Sequence, residues 1–263
     1  MISKQTMKKN ISILYFTAIV VIIIYLLLQA GCSRNEPYVA VTPSTIQKII
    51  PINTYVLDVS EPSGLAYNAV NNTLMVISDS HPEIYEISLN GTTLNTIPAS
   101  GSDMEGIALS KNCDTVIVVE ERIRSVTSFA LNGAKLDTII VDVAVLGNSG
   151  LEGVTFNHTG RQMFVLNEKD PRMLLCYENL TKKWQKNLDY TGDVSDVCYE
   201  ESTGFLWVIS DESRMILKLS STGTLIKQWE IPFSKGEGIA IVGDKIYVVN
   251  DQDGKMYVFH KPN

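Results

Sequence analysis

From residue 60 onward the apolar residues gather in short runs parted by polar turns: Leu74–Ile77, Val116–Val119, Met163–Leu166, Leu206–Ile209 and Ile246–Val249. Every run is rich in β-branched residues and too short for a helix, so each predicts a strand. No stretch beyond residue 60 sustains a 3.6-residue period, which argues against helical repeats. A related segment precedes each run. These segments read Glu61-Pro-Ser-Gly-Leu-Ala-Tyr67, Asp103-Met-Glu-Gly-Ile-Ala-Leu109, Gly150-Leu-Glu-Gly-Val-Thr-Phe156, Asp193-Val-Ser-Asp-Val-Cys-Tyr199 and Lys235-Gly-Glu-Gly-Ile-Ala-Ile241. Aligned on Gly64, Gly106, Gly153, Asp196 and Gly238, they recur at spacings of 42, 47, 43 and 42 residues.

Each unit continues in the same way. A third strand follows, such as Ile84–Leu89 or Met215–Leu219, and then a turn: Asn90-Gly91, Asn132-Gly133, Asn179-Leu180 or Thr222-Gly223. Asn-Gly predicts a two-residue hairpin turn with φ > 0 at both positions. A fourth strand completes the unit. Four antiparallel strands repeated at this period predict an all-β chain, a β-propeller of five four-stranded blades. The fifth unit stops at His260, where its third strand should end. Thr54–Val59 is the segment left to complete it, which would close the ring and remove two open edges. A sixth blade would need about 40 more residues, and only a shift of register in the preceding segment could supply part of them.

The repeat also carries chemistry. In an antiparallel blade the start of the innermost strand and the end of the second lie side by side. The residue before each anchor is Ser63, Glu105, Glu152, Ser195 or Glu237, and the second strand ends at Asp79, Glu121, Glu168, Asp211 or Asp251. Eight carboxylates are therefore expected around one mouth of the central channel, with Asp103 and Asp193 near by. Like charges that dense raise one another's pKa or demand a counter-ion. A hard divalent cation answers this, and Ca²⁺, with six to eight oxygens at about 2.4 Å, tolerates irregular geometry. Glu105, Glu152 and Glu237 are the expected ligands; the outer acids are the weaker candidates. The competing reading makes all of them strand caps or a solvated rim.

Catalytic signals are thin. Neither His81, His158 nor His260 stands in an acid-and-nucleophile arrangement, and Gly-x-Ser-x-Gly is absent. Arg122, Arg124, Arg172 and Arg214 follow the acids in the loops, where they pair with neighbouring carboxylates or answer a ligand's anion. No catalytic residue is assigned.

The amino terminus reads as an address. Residues 1–10 are basic, and Ile11–Leu28 carries no charge, about the length that spans a bilayer core. The run ends in Leu28-Gln29-Ala30-Gly31-Cys32, a lipobox-like end with Gln29 where an aliphatic residue is usual. Cleavage before Cys32 would leave a lipid-anchored protein; without cleavage the run is a transmembrane anchor. The positive-inside rule places the body outside the cytoplasm in either case. Residues 1–32 are thus read as signal or anchor, 33–52 as a polar tether and 53–263 as one propeller domain. Cys113, Cys176 and Cys198 have no metal-like spacing and read as thiols.

Composition narrows the partners. At 45% hydrophobic and 19% charged the chain is not disordered, and four cysteines in 263 residues exclude a disulfide-stapled miniprotein. Residues 33–263 hold 19 bases against 29 acids, a net charge of −10 that repels phosphate backbones and argues against nucleic acid. A membrane, a cation, and a small-molecule or protein ligand at the propeller face are the expected partners, with the chain a monomer.

Glu61–Tyr67, Gly150–Val154, Asn167-Glu-Lys-Asp-Pro-Arg172 and Ile209-Ser-Asp-Glu-Ser-Arg214 closely resemble the SdiA-regulated (YjiK/CarP-like) family of bacterial envelope proteins, over about residues 50–260. The resemblance implies a β-propeller held at the membrane and, in the CarP branch, a link to calcium regulation. It brings no catalytic mechanism. A more distant likeness to phytase-like and lactonase-like propellers implies, as an alternative, a metal-dependent hydrolase of phosphoesters or lactones. A protein-interaction scaffold is the third expectation.

Overall fold

The computed structural model describes residues 46–143 and 149–262. The basic head, the apolar run and Cys32 lie outside the described residues. Two short strands come first, β1 (Gln47–Lys48) and β2 (Asn53–Val56). Blade one is β3 (Pro62–Asn68), β4 (Thr73–Ser78), β5 (Glu83–Ile87) and β6 (Thr93–Pro98). Blade two is β7 (Met104–Leu109), β8 (Thr115–Glu120), β9 (Ser125–Ala130) and β10 (Lys135–Ile140). Blade three is β11 (Leu151–Phe156), β12 (Gln162–Asn167), β13 (Met173–Glu178) and β14 (Thr181–Asn187). Blade four is β15 (Asp196–Glu200), β16 (Phe205–Ser210), β17 (Met215–Leu219) and β18 (Leu225–Glu230). β19 (Gly236–Val242), β20 (Lys245–Asn250) and β21 (Lys255–His260) belong to blade five, whose outer strand is β2.

This is the five-bladed propeller that the repeat predicts, and it closes as expected: β2 pairs antiparallel with β21, Asn53 opposite Val258 and Val56 opposite Lys255. β1 adds a fifth strand to blade four, parallel to β18 with Gln47 opposite Trp229. The last residues read as tether thus cover a sheet edge that would otherwise be open.

The apolar second strands lie between two neighbours, which is why they read as continuous runs instead of alternating. Their side chains still alternate, but between two seams. Leu74 and Val76 join the core shared by blades five and one, whereas Met75 and Ile77 join the core shared by blades one and two. Phe164 and Leu166 face blade four while Met163 and Val165 face blade two. Five seams give five cores. The seam between blades four and five contains Trp207 and Trp229, fully buried and stacked with ring centroids 5.4 Å apart.

The Asn-Gly turns differ from the two-residue form expected. Gly91 donates to Ser88 O while Ser88 donates to Thr92 O, which encloses three loop residues, and of these only Gly91 has positive φ (84°). Gly133 and Gly223 repeat the arrangement. A right-handed turn followed by one left-handed glycine restores the strand twist as well as two left-handed residues do. Asn179 and Leu180, with φ of 49° and 62°, make the two-residue turn that the others do not.

Candidate metal centre

The inner acids reach the channel because their strands bulge. Pairing with the second strand slips between Pro62 and Gly64, Met104 and Gly106, Leu151 and Val154, and Gly236 and Gly238. The residues passed over include Ser63, Glu105, Glu152 and Glu237. A bulge turns a side chain out of the regular alternation, and here it turns three glutamates toward the axis. β15 pairs without a slip and brings no acid at this level.

Immediately below, the inner strands converge. A Cβ on Gly106 would lie 2.0 Å from Glu152 O, and one on Gly238 would lie 2.8 Å from Gly64 C, so no side chain fits there. Asp196 is the exception among the five anchors. Its carboxylate accepts from the N–H of Ile239 at 2.9 Å and of Val197 at 2.8 Å, and also from Leu65 N–H. Three blades are tied through one buried side chain, and the channel is blocked. Asp196→Ala should therefore cost about 2 kcal/mol, by leaving these buried N–H groups without their acceptor. Asp196→Asn, which keeps an acceptor oxygen, should cost less. Urea midpoints measure both, and an unchanged midpoint for Asp196→Ala would show that the tie carries no stability.

Above the block lies a cup of about 290 Å³. All eight expected acids line it: Glu105, Glu152 and Glu237, and the outer Asp79, Glu121, Glu168, Asp211 and Asp251. Four of the outer acids are placed by their own backbone. Asp79, Glu121, Glu168 and Asp251 donate N–H to Glu61, Asp103, Gly150 and Lys235 O at 3.1, 3.0, 3.0 and 3.2 Å. Glu61, Asp103 and Lys235 adopt left-handed φ (44°, 65° and 62°) to present those carbonyls. The residue before each outer acid, Ser78, Glu120, Asn167, Ser210 or Asn250, is buried. Its side chain fastens the loop: Ser78 donates to Ser60 O, Asn167 to Lys169 O and Pro171 O, and Asn250 to Ser234 O. Polarity at that position recurs in all five repeats, the signal by which sequence could have found it.

Within the cup the grouping differs from the expected trio. Carboxylate oxygens of Asp79, Asp103 and Glu105 lie within 4.8 Å of one another, and so do those of Glu121, Glu152 and Glu168. Glu237 stands apart with a counter-ion, Lys235, 3.6 Å from it and 3.0 Å from Asp211. Lys169 bridges Glu168 at 2.8 Å and Glu212 at 2.9 Å. Arg122 holds Asp103 at 2.9 Å. Arg122 and Lys169 occupy the same repeat position, directly after the outer acid, and Lys235 the position of Glu61 and Asp103, but the other repeats carry no cation at either, so the two lysines do not stand out in the sequence. Blades one to three thus present an arc of six carboxylates, Asp79 to Glu168, with Arg122 and Lys169 the cations paired with them among the described residues. His81 is in the loop beyond Asp79, hydrogen-bonded to Ser80 Oγ at 2.9 Å, and does not line the cup.

The arc is electrostatically uncomfortable. Burial first, then the neighbouring charges of Asp79, Asp103, Glu121 and Glu237, push Glu105 up to about 9. Glu152 is raised well above the ordinary carboxylate range by burial and then by Glu105 and Glu168. Glu121 is raised by burial and by Asp103. Glu237 reaches about 7, from burial and Asp211, despite Lys235. Between the ordinary 4.5 and these values the folded protein holds protons that the unfolded chain has lost, so stability falls as pH rises. In chelator the unfolding free energy should drop steadily from pH 5 to pH 9, by about 1.4 kcal/mol per pH unit for each extra proton held, and the melting temperature should fall with it. A flat or rising profile would contradict the raised carboxyl groups.

All donors here are carboxylate oxygens. Oxygens on opposite sides of Ca²⁺ lie about 4.8 Å apart at most, twice the usual bond length. Both groups of three fit that span, and neither offers the nitrogen or sulfur that Zn²⁺ selects.

The fold is shared with proteins of distant sequence. The chain is similar to glutaminyl cyclase of Myxococcus xanthus, with a TM-score of 0.62 and 10% identity over 81% of this chain and 98% of that one. It is also similar to a chain from a nidogen/laminin complex, with a TM-score of 0.53 and 16% identity over 72% of each. At such identities the likeness is one of fold alone. The family match is of another kind: the model of the SdiA-regulated family covers residues 47–263, every blade and its closing strand. The chain belongs to the SdiA-regulated family.

Proposed function

We propose that this protein is an extracytoplasmic propeller, anchored to a membrane of the cell envelope through Cys32 or its apolar run, that binds Ca²⁺ in the acidic cup in a binding or sensing role. The observation that carries the reading is the arc: six carboxylates, two close-set groups of three, and, among the described residues, two cationic side chains to answer them. Glu105 and Glu152, deepest in the cup, have no counter-ion of their own among the described residues, unlike Glu237. The proposed ligands are therefore Glu105 and Glu152 with Asp79, Glu121 and Glu168 around them, while Glu237 and Asp211 are already balanced by Lys235. Anchoring rests on the basic head, the uncharged run and Gly31-Cys32.

Calorimetric titration of the full chain in detergent tests the cation. One saturable Ca²⁺ event, weaker for Mg²⁺ because the smaller ion demands octahedral order, is the expected outcome. No heat and no competition with a luminescent lanthanide would sink the calcium reading and leave the acids as a rim. Growth with labelled palmitate, compared between the native chain and Cys32→Ser, separates lipid anchoring from a transmembrane run.

A further inference from the structure

Beyond the block at Asp196 the channel opens again on the opposite face, into a funnel of about 370 Å³. The two cavities share no wall residue. The repeat sets this wall too. Three residues past each anchor stand Tyr67, Leu109, Phe156, Tyr199 and Ile241, a ring of large apolar side chains that are only partly buried. One residue deeper come small ones, Ala66, Ala108, Thr155 and Cys198, which leave the interior open. Ring members are fixed from outside: Tyr67 donates to Asn72 Oδ1 at 2.9 Å. The Tyr199 ring stacks on Phe164, with centroids 6.3 Å apart, and on His158, 6.4 Å away. A concave cavity with an apolar, aromatic ring, a polar rim of Ser110, Lys111, Asn157, Glu201 and Ser202, and wall aromatics held before anything enters is the ordinary form of a small-molecule site.

The rim sets the ligand's charge. Lys111 and Glu201 stand there without a partner among the described residues, one of each sign, while Glu200 is neutralised by Lys261. Neither an anion nor a cation is favoured. We propose that the funnel is a second binding site, taking the apolar body, aryl or alkyl, of a small uncharged molecule whose polar end stays at the rim. It is chemically opposite to the acidic cup and independent of the cation.

Benzophenone, uncharged and able to mark C–H bonds on illumination, is the probe, applied to the full chain in lipid nanodiscs. Labelling should saturate and map by mass spectrometry to peptides carrying Tyr67, Leu109, Phe156 or Tyr199. Ala66→Trp, which fills the funnel, and Leu109→Glu, which puts a charge in the ring, should each cut it about tenfold. Both variants should keep their response to Ca²⁺. Leu109→Glu, at a partly open position, carries the test if Ala66→Trp melts early. Protection by 1-decanol should exceed that by decanoate or decyltrimethylammonium. Labelling that fails to saturate, that spreads to exposed Leu136, Ile140 and Ile226, or that persists in both variants would overturn the site. Better protection by either charged amphiphile would overturn the uncharged class.

Discussion

Calcium at a hundredfold excess over its dissociation constant should stabilise the full chain by about 2.7 kcal/mol, the mass-action gain of a ligand that binds only the folded state. For a domain of this size that is a rise in melting temperature of about 5–10 °C. Glu152→Gln should abolish the rise and at the same time melt higher than the parent in EDTA. Both follow from the arc. A neutral amide of the same shape removes the carboxylate that burial and the Glu105 and Glu168 charges disfavour. The metal-free protein therefore gains what the calcium-bound protein loses. Glu237→Gln should keep most of the calcium response, because Lys235 already serves as its counter-ion. A parent with no calcium-dependent shift, or a Glu152→Gln chain that keeps one, would put the cation elsewhere or nowhere.

Lys261→Met should destabilise the propeller by about 3 kcal/mol or more, the usual result of removing one partner from a buried pair. Lys261 follows β21, close to the chain's end, and its ammonium reaches across the blade four–five seam to the buried carboxylate of Glu200, while also donating to Gly243 O at 3.0 Å. Glu200 also receives Thr203 Oγ1 at 2.7 Å and the buried indole of Trp207 at 2.9 Å. Burial alone would raise this carboxyl group, but Lys261, Thr203 and Trp207 outweigh burial and hold it at about 2. The sign follows: its contribution is intact above the ordinary 4.5 and disappears as pH falls toward 2. The parent should lose stability over that acid window, and Lys261→Met should lose much less there, having already lost the pair at neutral pH. Adding Glu200→Gln to Lys261→Met should recover part of the loss, since no unpaired charge then stays buried. Denaturant midpoints at pH 7 and pH 3 decide the matter, and a Lys261→Met midpoint equal to the parent's would show that the latch holds nothing.

These two predictions draw on unequal amounts of sequence information. The acids of the cup stand at fixed offsets in the repeat, and an antiparallel blade brings those offsets to one end of the channel whatever the details of packing. Their gathering was legible for that reason. Their grouping was not. Whether Glu152 meets Glu237 or Glu121 and Glu168 depends on the bulge in each inner strand, and a bulge leaves no mark in spacing. The Lys261–Glu200 latch was equally hidden, joining residues far apart in the chain that no motif connects.

By itself the sequence determined the five units, their strands, the ring closure by the segment before residue 60 and the family. The family rests on its motifs; the others rest on periodicity, and both are properties of the chain. Tertiary structure alone decided that Asp196 blocks the channel, that Lys235 balances Glu237 and Asp211 while Glu105 and Glu152 face no cation among the described residues, and that the opposite mouth is a funnel ringed by large apolar side chains. Those outcomes depend on distances between side chains of different blades. Such distances exist only once the ring has closed.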